Sequence, residues 1–290
     1  MRIIKVIGGL GNQMFQYALS LALKERFPEE RVLLDLRCFR GYPKHFGFEL
    51  PAIFGIDYDE ASWRNVIRVA YPYPNFQTWR IGSRLLPTRK STILEKKTFD
   101  YEPTALTRQT DTYYDGYWQH EEYFRDIRPR ILDAFRFPDF ADEQNQQAAA
   151  LIAKTNSVSI HVRRGDYLTD PLFRGTGTLD YYAAAIRRMK ELTQPELFVV
   201  FSNDISWTQQ HLAPVIGDCD ILYVDWNAGR QSYRDIHLMS LCRHNIIANS
   251  SFSWWAAWLN TNEEKTIIAP AHWMNVKNTC SPAAESWIKL

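Results

Sequence analysis

Two stretches of the chain put charge and hydrogen-bond donors where a phosphate could sit. The first is His161-Val162-Arg163-Arg164-Gly165-Asp166-Tyr167, directly behind an apolar run at 157–162. Two adjacent arginines at a strand end are poor candidates for idle surface charge. One guanidinium can hold a pyrophosphate through a bidentate pair of hydrogen bonds, and the other can pair with Asp166 to set the loop. A structural Arg–Asp network is the alternative. The second stretch is Asn249-Ser250-Ser251-Phe252-Ser253, where a strand passes into a helix. Small hydroxyl residues and backbone N–H groups at a helix start form an anion cradle.

A third stretch, Gly8-Gly9-Leu10-Gly11-Asn12-Gln13, lies between a strand and a helix. Its glycines let a backbone approach a ligand closely. With Asp35 closing the next strand it approaches a nicotinamide-dinucleotide fingerprint, but Met14 stands where the third glycine belongs. A nicotinamide-dependent oxidoreductase is therefore a rival reading. Asp235, near the start of a helix, can read a purine edge or a ribose hydroxyl, although an acidic residue there is more often a cap or dipole partner.

These groups need a scaffold that brings strand ends together. Strands read at 2–7, 31–36, 112–118, 157–162, 197–201, 221–225, 244–248 and 265–269. Helices read at 13–25, 119–135, 142–154, 180–192, 233–242 and 252–260. Alternating strands and helices predict parallel sheets in an α/β protein. Residues 40–110, rich in Pro and aromatics, read as an irregular insertion with some helix. Two α/β stretches joined near 150 predict two Rossmann-like domains, 1–150 and 151–290.

The chain has 290 residues, 34 Lys+Arg against 33 Asp+Glu, and 14% aromatics. The near-neutral balance argues against a nucleic-acid binder. The aromatic excess leaves a non-catalytic sugar-binding protein as a second rival. Trp254, Trp255 and Trp258 read as core. Tyr42, Trp79, Tyr117 and Trp118 read as cleft residues for an acceptor. Four scattered cysteines form no CxxC pair; of Asp57-x-Asp59 and Asp218-x-Asp220, about one is expected by chance and the second precedes a strand instead of following one, so no metal site is expected. The N-terminal run reads as strand, loop and helix instead of a signal peptide. The expected location is cytoplasmic, with room for peripheral contact at the inner face of the membrane.

Five ordered blocks carry a family resemblance: GGLGNQMFQYA at 8–18, DGYWQHEEYF at 115–124, HVRRGDY at 161–167, FSND at 201–204 and DIHLMSLCRHNIIANSSFSWWAAWL at 235–259. In these the chain resembles the bacterial α-1,2-fucosyltransferases of glycosyltransferase family 11. The resemblance implies a GT-B fold, with two Rossmann-like domains facing across a cleft. It implies GDP-fucose as co-substrate, inversion at the anomeric carbon, and no required metal or other cofactor. The acceptor would be a galactose-terminated oligosaccharide or a lipid-linked glycan of a surface polysaccharide, with no nucleic-acid partner. On this reading Arg163, Asn12 and Asp166 are the catalytic candidates. His161, Arg164, Asp235, Asn249, Ser250, Ser251, Phe252, Gly9 and Gly11 are donor contacts, and Gln13, Gln119 and Trp118 acceptor contacts. The general base is open among Asp166, Asp170, His120 and Glu121, or a phosphate oxygen takes the proton.

Overall fold

Parallel strands covered on both faces must be apolar along their whole length, and β1 (Arg2–Lys5) has no exposed residue. Its two charged ends are neutralised in place: Arg2 pairs with Glu30 at 3.0 Å and Lys5 pairs with Asp115. The computed structural model describes residues 1–290 except Lys96, Lys97, Asn278 and the side chain of Asp166. It divides into two compact units, Met1–Phe137 and Pro138–Leu290.

In the first unit β2 (Val32–Asp35), β3 (Thr92–Leu94) and β4 (Thr112–Asp115) join β1 in a fully parallel sheet of order β2-β1-β4-β3. The helix Leu10–Arg26 connects β1 to β2. All of it from Leu10 to Leu23 is buried except Asn12, as befits a helix that is apolar around most of its girth. Ile3, Leu33, Val66, Val69 and Tyr113 pack together against the sheet.

The aromatic-rich insertion is more regular than its composition suggests. It contains the helices Leu50–Phe54, Trp63–Val69 and Phe76–Leu85, besides β3. Ser62 with Asn65, and Asn75 with Thr78, close reciprocal capping boxes at the last two helices. Neither pair has the Glu or Gln that makes such a box legible. The single helix expected over 119–135 does not form. Two 3-10 turns, Glu121–Tyr123 and Arg125–Ile127, precede a short helix, Arg128–Ala134. Pro129 is the reason: it suits the first helical turn but would remove a hydrogen bond from the interior of a longer helix.

The second unit is a six-stranded parallel sheet built from β5 (Ser157–Val162), β6 (Leu197–Ser202), β7 (Asp220–Val224), β8 (His244–Ile246), β9 (Ile267–Ala269) and β10 (Ile288–Lys289), in the order β10-β9-β8-β5-β6-β7. The helix Glu143–Lys154 packs on the helix Tyr233–Leu241. It therefore belongs to this unit, and the division falls at Phe137/Pro138, ahead of the expected 150. Trp254 and Trp255 are fully buried and Trp258 nearly so. Trp254 lies 5.1 Å from Trp255, and its indole N–H donates to Pro282 O at 2.8 Å. Two α/β units with parallel sheets make this the Rossmann-like fold class that the alternation predicts.

Each sheet has a place where the chain changes direction. In the second unit it runs outward through β5, β6 and β7, then returns beside β5 as β8 and runs the other way. In the first, β2 and β4 flank β1 on opposite sides. Ligands in such sheets bind at the carboxyl ends of the strands flanking this switch.

Asn245 ties the second switch together from within. Fully buried on β8, it donates to Ser159 Oγ on β5 and to Met239 O, both at 2.8 Å, and accepts from Asn260 Nδ2 at 2.8 Å. Replacing Asn245 by Ala strands these partners in an apolar interior. The expected loss is about 2–4 kcal/mol of unfolding free energy, measured by urea denaturation; a loss below about 0.5 kcal/mol would contradict the assigned role.

Candidate active site

The chain leaves β5 through His161 and Val162 and enters the arginine loop. His161 is buried, and its ring lies 5.7 Å from that of Phe252. Burial, reinforced by the charge of Arg163, lowers its pKa to about 3. The imidazole is therefore neutral at physiological pH, which removes it as a cationic phosphate ligand. Its buried Nδ1 has no hydrogen-bond partner among the described residues. The Arg163 guanidinium lies 5.2 Å from the centre of the Tyr167 ring. Tyr167 in turn stacks on Phe173 at 4.3 Å and donates to Asn249 O at 3.2 Å. This tyrosine thus connects the arginine loop to the end of β8.

Arg164 has a different task from the donor contact expected of it. Its Nε pairs with Asp204 Oδ2 at 3.2 Å, and its guanidinium sits 4.1 Å from the centre of the Trp207 ring. Its backbone N–H donates to Asn203 Oδ1 at 3.0 Å. A Cβ on Gly165 would come within 2.3 Å of Asn203 Nδ2. The FSND block therefore clamps the arginine loop from β6, and Arg164 is the clamped residue. Asp166 lies in the 3-10 turn Gly165–Leu168; its expected catalytic role falls on a side chain outside the described residues.

On the other side of the switch, Asn249 follows β8. Its Nδ2 donates to Thr176 Oγ1 at 2.6 Å and to Trp273 O at 2.9 Å, while its buried Oδ1 has no hydrogen-bond partner among the described residues. Ser250 caps the helix Ser251–Leu259, its Oγ accepting from Phe252 N at 3.3 Å. The first turn of that helix carries no acidic side chain, so the positive end of its dipole is not offset locally. Ser251 and Phe252 are partly exposed there. The two strands of one switch thus end in two buried, unpartnered polar atoms, an arginine and a helix N-terminus. That set suits a phosphate ester with further hydrogen-bonding groups.

Asp235 is held in a network of its own. Asn227 Nδ2 donates to it at 2.9 Å and also to Asn145 Oδ1 at 2.9 Å. Asn145 is fully buried and bonds Asp142, which pairs with Arg234 at 3.0 Å. Burial raises the Asp235 carboxyl to about 7 against the opposing pull of Asn227. Asn227, Asn145 and Thr176 were not legible as site residues, because no local pattern marks an amide or hydroxyl as buried.

The glycine loop of the first unit is arranged around amides. Gln16 Oε1 accepts from Ile7 N at 3.1 Å and its Nε2 donates to Gly116 O at 3.0 Å. Gln13 donates to Gly8 O at 2.9 Å and Gly47 O at 2.8 Å, and accepts from Glu49 N at 2.9 Å. Gln13 is fully buried with both amide atoms committed, so it is scaffold and not the acceptor contact expected. Trp118 is also fully buried, edge-on to Tyr114 and Tyr123; it is core and not a cleft residue. Gln119 donates to Asn12 Oδ1 at 2.6 Å, which orients the one partly exposed residue in the buried part of that helix. Gly9 is the helix N-cap, and Gly11 is buried inside the first turn. Gly8 adopts φ +96°, and a Cβ there would come within 2.6 Å of Asn12 Nδ2. Gln16 had a sequence signal: it stands one turn after Gln13, between Phe15 and Tyr17. His120 Nδ1 accepts from Glu122 N, and Asp170 Oδ1 from Leu172 N, so two of the candidate bases serve local turns.

The dinucleotide reading fails at Asp35. That carboxylate is buried, forked by the Arg37 side chain at 2.8 and 2.6 Å, and accepts from Arg37 N at 3.1 Å and from Tyr113 OH at 2.8 Å. No lone pair is left over for a ribose.

The family model described as "Glycosyl transferase family 11" matches residues 91–289. The chain is 32% identical to the O-antigen biosynthesis glycosyltransferase WbnK of Escherichia coli, over 98% of each chain. It is 32% identical to an alpha-1,2-colitosyltransferase of Escherichia coli, over 99% of this chain and 98% of that one. It is 24% identical to galactoside alpha-(1,2)-fucosyltransferase 2 of Mus musculus, over 88% of this chain and 67% of that one. With its parallel α/β units, its arginine loop and its serine-capped helix, the chain belongs to glycosyltransferase family 11.

Proposed function

We propose that this glycosyltransferase moves L-fucose from GDP-fucose to the 2-hydroxyl of a terminal galactose, with inversion at fucose C1 and without a metal. The observation that carries the donor site is the pair of buried, unpartnered atoms, His161 Nδ1 and Asn249 Oδ1, at adjoining strand ends beside Arg163 and the helix Ser251–Leu259. The second unit takes the nucleotide and the first the acceptor, with Asn12 and Gln119 on the acceptor side. The galactose hydroxyl attacks C1 as the bond from C1 to the β-phosphate oxygen breaks; GDP departs with the electron pair, and the hydroxyl proton passes to a base or to a phosphate oxygen. Arg163 and the helix N–H groups meet the charge that develops on the leaving phosphate. Colitose, which is fucose without its 3-hydroxyl, is a second donor reading, favoured by the alpha-1,2-colitosyltransferase relative.

Incubation with GDP-fucose and a panel of β-galactosides, followed by NMR of the product, tests both readings; an α-1,2-fucosyl product supports the first, and transfer from GDP-colitose alone the second. Arg163→Ala is expected to lower turnover roughly 100–1000-fold with the fold intact. Arg163→Lys is also expected to be poor, since an ammonium cannot fork two phosphate oxygens. Undiminished turnover by folded Arg163→Ala would overturn the leaving-group role.

In the assigned site Asp235 accepts from guanine N–H or ribose hydroxyl groups, which favours its ionised form. Its carboxyl titrates near 7 in the unliganded protein. GDP affinity is therefore expected to rise from pH 6 to pH 8 with release of a proton, and Asp235→Asn to lose that slope. The stability of the unliganded protein runs the other way. The raised pKa contributes fully below the ordinary carboxylate range and is lost as pH rises through about 7. Calorimetry in two buffers of different ionisation enthalpy measures the proton; identical pH slopes for wild type and Asp235→Asn would contradict the assignment.

A further inference from the structure

Between Glu60 and Glu95 the chain carries Arg64, Arg68, Arg80, Arg84, Arg89 and Lys90 and not one acidic residue, in a protein whose net charge is +1. The helix Phe76–Leu85 at the centre of this segment has no buried residue. Its inner side is nevertheless fixed. Phe76 meets Tyr42 edge-on at 4.8 Å, and Trp79 donates from Nε1 to Asp115 at 3.2 Å with Lys5 Nζ over its ring at 3.7 Å. Gly82 lets Tyr73 lie against the helix, where a Cβ would come within 2.2 Å of the ring. This anchoring turns Ile81 and Leu85, one turn apart, outward at 55% and 76% exposure. Leu86 continues the stripe at 45%, and the exposed Arg80 and Arg84 border it. Arg89 then donates to Ile67 O at 2.8 Å and Ala70 O at 3.0 Å. It thereby joins the segment after Leu86 to the helix Trp63–Val69, which exposes Trp63 and Ile67 beside Arg64 and Arg68. Apolar side chains with a cationic border on a fixed amphipathic helix suit one partner class, an anionic lipid surface. A second copy of this chain would oppose like charge to like.

Among the described residues no helix is long and apolar enough to cross a membrane. We propose that this face of the first unit seats the protein on an anionic phospholipid surface, Ile81, Leu85 and Leu86 entering the headgroup region while Arg80, Arg84 and Lys90 pair with lipid phosphates. The seat is independent of which sugar nucleotide the second unit takes.

The test is co-sedimentation of the full chain with phosphatidylcholine vesicles, with and without about one-third phosphatidylglycerol. Binding is expected on the anionic vesicles, weak on the neutral ones, and reversed by high salt. Arg80→Gln with Arg84→Gln is expected to cut the partition coefficient about 25-fold, at about fivefold per arginine. Leu85→Ser is expected to lower it severalfold, and all three exposed substitutions to leave the melting temperature and GDP affinity unchanged. Equal binding to neutral vesicles, no binding to anionic ones, or variants that bind like wild type would overturn the proposal. So would a dimer, seen by light scattering, that Leu85→Ser dissolves while vesicle binding is absent.

Discussion

A parallel strand reaches its neighbour only through a crossover, and where the crossovers leave two adjoining strands in opposite directions nothing spans the carboxyl ends between them. Both units are built on this constraint. Around β5 and β8 it brings together residues far apart in sequence, the loop after His161 and the loop after Ala248. Around β1 and β4 it brings the glycine loop to Gly116 and Gln119. The all-parallel order is itself enforced by apolar strands that need cover on both faces.

The two switches use their polar groups in opposite ways. In the first unit Gln13 and Gln16 spend their amides on the backbones of loops around them. The glycine loop is thereby a rigid structural hub, and Asn12 is the group it presents. In the second unit Asn245, Arg164 and Tyr167 are likewise committed to their neighbours. Yet among the described residues His161 Nδ1 and Asn249 Oδ1 stay without hydrogen-bond partners. A buried polar atom left unpaired is costly, and a ligand that supplies the missing bonds offsets that cost.

Much of this was legible from the residues. The strands around the site, the two α/β units and the core position of Trp254, Trp255 and Trp258 follow from period and composition. The failures have physical causes. Trp118 looks like a cleft aromatic beside Tyr117, but its φ of +59° folds it back between Tyr114 and Tyr123. Arg164 and Arg163 are indistinguishable as neighbours in sequence; only Asp204 and Trp207, brought by β6, mark Arg164 as the clamp. Asp35 resembles a ribose acceptor until Arg37 and Tyr113 are seen to occupy it. Long-range partners decided each of these cases, and no local pattern carries them.

The proposed nucleotide site is the β5–β8 switch. Hydrogen exchange with and without GDP tests it most directly, peptide by peptide. GDP is predicted to slow exchange in the segments 161–168 and 249–253 and around Asp235, and to leave the glycine loop at 8–13 unchanged. Protection at 8–13 with none at 161–168 or 249–253 would contradict it.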